Sequence, residues 1–247
     1  MKLLILGTAG YHPSETRQTT CLMLPSEGIV FDAGTSFFRV REHLVTPTLD
    51  ILLSHTHLDH SVGLTFLLDV LLHKATERVT VHAAADKLAT IENHLFADQL
   101  FPVPPRFERR PTPPRWRLAG GVEVTAFPLD HPGGSQGYRL DWPERSLAFV
   151  TDTTSKGAES PYLDQVRGVD LLVHECNFRD EQAEFANLTG HSCVSPVLKL
   201  AAAAGVKRLV LTHFNPLETD ADPVGLAAAR GIFPSTLLAV DGMEIDF

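Results

Sequence analysis

Cysteine is scarce in this 247-residue chain. Cys21, Cys176 and Cys193 are odd in number, far apart and without a Cys-x-x-Cys spacing. Neither a disulfide framework nor a thiolate zinc site is suggested. Long apolar runs are also missing: the opening Leu3-Leu4-Ile5-Leu6 is too short for a signal peptide, and no run reaches the roughly 18 residues of a membrane span. A cytoplasmic protein with no membrane segment is expected. Positive charge is in deficit, with 21 Lys and Arg against 30 Asp and Glu and a net charge of −9. That argues against bulk binding of nucleic acid, which needs cations to neutralise phosphates, and leaves a local basic patch open. What remains is an ordinary globular composition, 44% hydrophobic and 21% charged, long enough to bury a substantial core.

Histidine is the residue the chain concentrates. Directly after the apolar run Leu49-Asp50-Ile51-Leu52-Leu53 comes Ser54-His55-Thr56-His57-Leu58-Asp59-His60. In an extended segment residues i and i+2 point to one side, so His55 and His57 converge. Leu58-Asp59-His60 then leads into a helix expected over Val62 to Leu72, with Asp59 as its N-cap. Imidazole with carboxylate suits Zn²⁺, Fe²⁺ or Mn²⁺, and four such donors in one loop exceed what a single catalytic ion takes from one segment. Two metal ions are therefore expected.

Read in order, Lys2 to Leu6 is a buried strand. Thr20 to Leu24 and Gly28 to Phe31 form a hairpin about Pro25-Ser26-Glu27, ending at Asp32-Ala33-Gly34. Asp32 is either a turn residue or an acceptor holding a metal-bound histidine. A strand Val79 to His82 and a helix Ala84 to Ala97 follow. The segment Phe101 to Arg117 breaks the alternation, with prolines at 102, 104, 105, 111, 113 and 114 and five arginines against one glutamate. It reads either as a proline-stiffened surface loop or as a rim whose Arg106, Arg109, Arg110, Arg115 and Arg117 meet anionic substrate while Phe107 or Trp116 stacks on a base.

Strands are expected at Val122 to Leu129, Gly137 to Asp141, Ser146 to Thr151, Val169 to His174 and Val206 to Thr212. Helices are expected at Val194 to Ala204 and Pro223 to Ile232, and a final hairpin over Thr236 to Val240 and Met243 to Phe247. Two β-rich blocks, each followed by strand-helix alternation, imply two similar halves packed sheet to sheet with helices outside. Three later strand ends each carry a ligand-type residue: His131, Asp152 and His213. In the strand Val169 to His174 and its continuation, alternation sends His174 and Cys176 to one face and Glu175 to the other.

These residues resemble the metallo-β-lactamase-fold hydrolases, in the branch of the tRNA 3′-processing endonucleases (tRNase Z) and small phosphodiesterases. The resemblance rests on Leu6-Gly7-Thr8, Asp32-Ala33-Gly34, the histidine motif, His131 with Gly137-Tyr138-Arg139, Thr151-Asp152-Thr153, His174-Glu175, His191-Ser192 and Leu211-Thr212-His213. It spans essentially the whole chain. It implies one domain over 1–247 and an αββα four-layer sandwich, two mixed β-sheets packed face to face with helices on the outside. It implies that His55, His57 and His131 hold one metal, that Asp59, His60 and His213 hold a second, and that Asp152 bridges. Asp59 and His191 take catalytic roles, and His191 lies beside the scissile phosphate as substrate-binding residue or proton donor. Arg106, Arg109 and Arg110 are the further substrate-binding candidates.

The ions implied are two divalent metals, Zn²⁺ first, with Mn²⁺ or Fe²⁺ as alternatives. The expected partner is a small-molecule or nucleotide phosphodiester, and a homodimer is implied by the resemblance alone. The tRNA-processing relatives with a flexible arm carry it where this chain has only the turn Trp142-Pro143-Glu144-Arg145. The function expected is that of a binuclear metal-dependent phosphodiesterase, acting on a cyclic nucleotide, small phosphodiester or RNA end through a metal-bridging hydroxide. The alternatives are a thioester, lactone or other carboxylic-type hydrolase of the same fold, and a non-catalytic metal-binding or sensor module.

Overall fold

Apolar runs become strands where expected in the computed structural model, which describes residues 1–247. The chain divides into two compact units, Met1–Pro113 with Val240–Phe247, and Pro114–Ala239. In the first unit β1 (Lys2–Gly7), β2 (Cys21–Leu24) and β3 (Ile29–Phe31) pair antiparallel in sequence order. From β3 onward β4 (Thr48–Leu52), β5 (Arg78–Ala83) and β6 (Glu108–Pro111) add in parallel. Alternation sorts the side chains: Leu49, Ile51 and Leu53 with Val79, Val81 and Ala83 join one core, which the helical residues Phe37, Val40, Leu64, Leu67 and Val70 complete. Leu3, Ile5, Leu22, Leu24 and Phe31 are equally buried. Burial of nearly every position in β3, β4 and β5 is what parallel pairing with crossover segments calls for. Each such Leu or Ile contributes on the order of 1.5–3 kcal/mol relative to exposure.

The second unit repeats the plan. β7 (Arg115–Arg117), β8 (Glu123–Leu129), β9 (Ser135–Trp142) and β10 (Arg145–Val150) pair antiparallel. β11 (Leu171–Glu175), β12 (Arg208–Thr212) and β13 (Thr236–Leu238) then add in parallel to β10. The helix Val194–Ala204 is where the sequence puts it. Its first turn is fixed by the Ser195 N–H donating to Asp180 Oδ1 at 2.9 Å, and its end by Gly205 in the left-handed region.

Five expectations are corrected. The last two strands do not form a hairpin: β13 extends the second unit's sheet, whereas β14 (Met243–Asp246) pairs antiparallel with β1, completing a seven-stranded mixed sheet in each unit. Asp241 directs that return, accepting hydrogen bonds from Thr8 Oγ1, the Gln18 N–H and Arg39 Nη1, each at 2.8 Å. The Arg/Pro-rich segment is not all loop, since it supplies the edge strands β6 and β7.

The helix over Val62 to Leu72 is a chain of short pieces: α-helical Leu58–Ser61, a 3₁₀ turn Val62–Phe66 and α-helical Leu67–Val70. Gly63 explains the break. A Cβ there would lie 2.3 Å from Gly34 O and 2.4 Å from Phe37 Cβ, and its N–H donates to Ala33 O at 2.7 Å. The helix over Ala84 to Ala97 likewise divides into Ala85–Thr90 and a π-helical turn Ile91–Leu95, and Pro223 to Ile232 contains only Leu226–Ala229. No helix is long and apolar enough to cross a membrane.

Candidate metal and catalytic centre

In the first unit β4 delivers the histidine motif and β3 delivers the residue that holds it. Asp32, fully buried, accepts the Ser54 N–H on Oδ1 at 2.7 Å and the Ser54 hydroxyl on Oδ2 at 2.9 Å. His60 Nδ1 donates to the same Oδ2 at 2.8 Å. His55 Nδ1 lies 3.0 Å from Ser54 Oγ, which already donates to Asp32, so the imidazole is the donor. Both rings therefore carry their proton on Nδ1 and present Nε2 as a lone pair, the tautomer a metal ligand needs. The His55 ring lies 4.4 Å from those of His57 and His60, centroid to centroid, and His60 Nε2 is 3.2 Å from Asp59 Oδ2. Of the two readings of Asp32, the acceptor that orients a histidine is the one observed.

Asp59 is not the N-cap. His57 occupies that position, Asp59 sits in the first turn, and its Oδ2 accepts the Tyr11 N–H at 2.7 Å. A cap must precede the helix to reach its free N–H groups, and this helix, beginning at Leu58, starts two residues too early for Asp59.

The second unit presents a matching set. His131 Nε2 is 3.4 Å from Asp152 Oδ2, and His213 Nε2 is 3.2 Å from Asp152 Oδ1, so one carboxylate offers a separate oxygen to each imidazole. The His131 Nδ1–H donates to Gly190 O at 3.0 Å, leaving Nε2 free of its proton. Gly190 itself has a φ of 77°, and a Cβ there would lie 2.5 Å from Pro132 Cδ. His191 Nδ1 is 3.0 Å from Glu175 Oε1, and Glu175 also accepts the N–H groups of Thr153 and Ser192. The ligand atoms of Asp152, His191 and His213 lie within 4.8 Å of one another.

Glu175 and His174 point to opposite faces, as alternation requires. His174 Nε2 accepts the Tyr162 hydroxyl at 2.9 Å, while Glu175 turns to His191. Asn177 is the residue that sequence reasoning passed over; its Nδ2 donates to His213 O at 3.0 Å and fixes the loop that carries that ring.

Backbone conformation marks the same places. Asp32, Asp152 and His213 have φ of 55°, 48° and 58°, in the left-handed region that side-chain-bearing residues avoid. Each follows a strand end, and each holds a donor or its support. Asp32 after β3 and Asp152 after β10 are topological equivalents, because each of those strands joins the antiparallel part of its sheet to the parallel part.

Burial shapes the protonation states. It pushes the Asp32 carboxyl above its ordinary value, against the pull of His60 and Ser54, and it pushes His131 below the usual imidazole value against the opposing pull of Asp152. A neutral His131 is the state that binds metal. Imidazole Nε2 and carboxylate donors, held by hydrogen bonds behind them, fit divalent metal ions.

The arginine candidates lie on or beside the two edge strands. Arg109 and Arg110 are on the edge strand β6, paired with Glu92 at 3.6 Å and Glu108 at 2.9 Å, and Arg106 precedes that strand. Arg115 and Arg117 pair with Glu123. Phe107 packs against the first unit's core and Trp116 against Tyr138 rather than offering open stacking faces.

Two sheets of this order with His/Asp donors at their strand ends, buried apart from the exposed His57, define a metal-binding member of the β-lactamase-type hydrolase folds. The chain belongs to that superfamily: the beta-lactamase superfamily domain matches residues 28–214. The ribonuclease Z of Gemmatimonas aurantiaca is 28% identical over a 304-residue alignment covering 100% of this chain and 96% of that protein. The metallo-β-lactamase fold protein YhfI of Bacillus subtilis, 18% identical, superposes with a TM-score of 0.79 over 99% of this chain and 98% of that one. A diphosphatase of the PhnP family, 19% identical, does so at 0.75 over 100% and 96%. The fold class expected from the sequence is therefore the observed one.

Proposed function

We propose that the chain is a binuclear metal-dependent phosphodiesterase acting on a nucleotide-type or other small phosphodiester. The observation that carries the reading is Asp152, whose two oxygens address two different imidazoles while His191, set on Glu175, shares its surroundings. In this reading His55, His57, Asp59 and His60 of the first unit and His131, Asp152 and His213 of the second would hold divalent ions, with Zn²⁺ first and Mn²⁺ or Fe²⁺ as alternatives. When bound, such ions supply a nucleophile near neutral pH and neutralise charge on phosphoryl oxygens.

The chain's own groups do the rest. Asp32, Ser54 and the Gly190 carbonyl orient the ligand imidazoles. Glu175 holds the His191 Nδ1–H, so that the ring, when protonated at both nitrogens, delivers its Nε2 proton to the departing alkoxide. Asp59 takes its catalytic part by holding its ion while the Tyr11 N–H fixes its second role as acceptor. The relatives named ribonuclease Z and the PhnP-family diphosphatase support phosphoester chemistry. The tight β9–β10 hairpin, with Trp142 opposite Arg145, supports a small diester or RNA end over a substrate gripped by an arm there. Three free buried cysteines fit a reducing cytoplasm. Assembly as a homodimer rests on the resemblance alone.

The test is reconstitution of the purified chain with Zn²⁺ or Mn²⁺ and a panel of bis-p-nitrophenyl phosphate, cyclic nucleotides, thioesters and lactones. Turnover of the diesters is expected. Turnover of thioesters or lactones with none of the diesters would reverse the reading.

A further inference from the structure

Tyr11 is 80% exposed, the most exposed large apolar or aromatic side chain in the protein. It nevertheless stands on a fixed backbone. Its N–H donates to Asp59 Oδ2 at 2.7 Å, and the His12 N–H donates back to Gly10 O at 2.8 Å, closing a tight turn with Tyr11 at its centre. With a φ of 61° this is the rare and strained hand of the γ-turn. The surrounding loop is tied at its base, where the Thr8 and Ala9 N–H groups both donate to Gln18 O at 2.9 Å, and at its tip, where the Ser14 N–H donates to Arg17 O at 2.8 Å.

A positive φ is unfavourable for a bulky residue, whereas glycine adopts it freely. A buried ring would offset that strain through packing, but this one buries little of its surface. The turn itself has a use, since it aims the Tyr11 N–H at a proposed ligand, yet that use needs no side chain. Strain of this kind persists where function requires it. Within the fold the ring meets His12 in a T-shaped contact, 5.2 Å between centroids and 64° between planes, and the His12 Nδ1–H is held by Pro13 O at 2.8 Å. The motif is open to solvent at the same place: His57 is its exposed donor, and Leu58, next to Asp59, is 66% exposed. A preset aromatic ring and an aliphatic side chain thus flank the Asp59 carboxylate, one tied to it by a hydrogen bond and the other by the chain.

We infer that Tyr11 is a specificity-determining residue of the proposed hydrolase: its ring stacks on a planar aromatic group carried by the ester, so that aryl- or base-bearing esters bind ahead of saturated ones of the same charge. A side chain with two χ angles on a fixed backbone has little freedom left to lose on stacking. A ligand recognised by charge alone leaves an exposed ring on a strained turn unexplained. A saturated group would gain as much from any apolar side chain, whereas an uncovered π-face gains most from another flat ring. The inference rests on the phosphodiesterase reading for the chemistry of the ester, and it uses the side chain of a residue from which that reading takes only the N–H.

The test compares phenylphosphonate with cyclohexylphosphonate, equal in charge and carbon count, by calorimetric titration of the metal-loaded full chain in the parent, Tyr11→Gly and Tyr11→Phe. Phenylphosphonate should bind about 5-fold or more tightly in the parent and in Tyr11→Phe, and the preference should vanish in Tyr11→Gly. Tyr11→Gly should melt at the same temperature or higher, because glycine takes the turn without strain, and should keep its metal content by elemental analysis. Its KM for bis-p-nitrophenyl phosphate should rise by a similar factor, with a smaller change in kcat. Equal affinity for the two phosphonates in the parent overturns the inference, as does a phenyl preference that survives in Tyr11→Gly. Loss of the preference in Tyr11→Phe overturns it by assigning the effect to the hydroxyl. A Tyr11→Gly chain that loses metal or melts lower overturns it by making Tyr11 a structural support for Asp59. Turnover of bis-p-nitrophenyl phosphate by the parent tests the phosphodiesterase reading on its own; a chain without it that still prefers phenylphosphonate keeps the role of Tyr11 and loses that reading.

Discussion

Asp32 coordinates nothing in the proposed ligand set, yet it determines how two of its members stand. One carboxylate fixes the backbone of Ser54, its hydroxyl and the His60 ring, and through Ser54 it reaches His55. Asp32→Asn keeps the shape and tolerates the φ of 55°, but places an amide where charge accepted two donors. Metal affinity is expected to fall about 10- to 100-fold, measured by competition with a chromogenic chelator. His191 acts on the other side of the chemistry. His191→Ala should lower kcat for diesters by about 10²- to 10⁴-fold with metal content unchanged, checked by elemental analysis of the same sample. Loss of metal from that variant would instead make His191 a ligand, an arrangement its closeness to Asp152 and His213 permits. Most donors were legible because a ligand-type residue after an apolar run is visible in one dimension. The left-handed backbone at Asp32, Asp152 and His213 was not, since it is imposed by sheet ends and loop closure. Asn177 was equally hidden, its partner lying thirty-six positions further on.

At the scale of elements, periodicity identified what packing alone determines and failed where a single close approach decides. Val194–Ala204 was readable because its apolar positions repeat, alanine fills its last turn and Gly205 ends it. The stretch after the histidine motif has equally apolar residues, but Gly63 lets the chain press against Ala33 and Gly34, and the helix breaks into short pieces there. Gly63→Ala puts a methyl within 2.3 Å of a backbone oxygen that cannot step aside. The expected loss is about 1–3 kcal/mol of stability, seen as a lower urea midpoint with unchanged slope. The final hairpin was misread for a related reason. Thr236 to Val240 and Met243 to Phe247 have the alternation and the Asp241-Gly242 turn of a hairpin, but the Asp241 carboxylate is claimed by Thr8, Gln18 and Arg39. Local turn chemistry and a long-range anchor look alike in sequence.

At the scale of the whole molecule, the same strand order appears in both units, three antiparallel pairings followed by three parallel ones, though no repeat is visible in the amino acids. A buried network within the second unit couples stability to pH. Burial pushes His174 below its ordinary value of 6.5, so the folded chain keeps it neutral where the unfolded chain is already protonated. Its stabilising contribution is complete above about pH 6.5 and is lost as the pH falls through that value toward the folded one. Urea unfolding of metal-free protein between pH 7.5 and 5 should show stability falling with acidification, by up to about 1.4 kcal/mol per pH unit from this group. His174→Gln should flatten that slope. One further consequence belongs to the edges of the sheets. β6 exposes all four of its residues, Glu108, Arg109, Arg110 and Pro111, and β7 carries Arg115 and Arg117 outward. A strand with adjacent charges, and a proline without an N–H, is a poor template for another chain's backbone. The arginine- and proline-rich segment thus protects both sheets from edge-to-edge aggregation, a task in which its charge counts for solubility and need not touch a substrate at all.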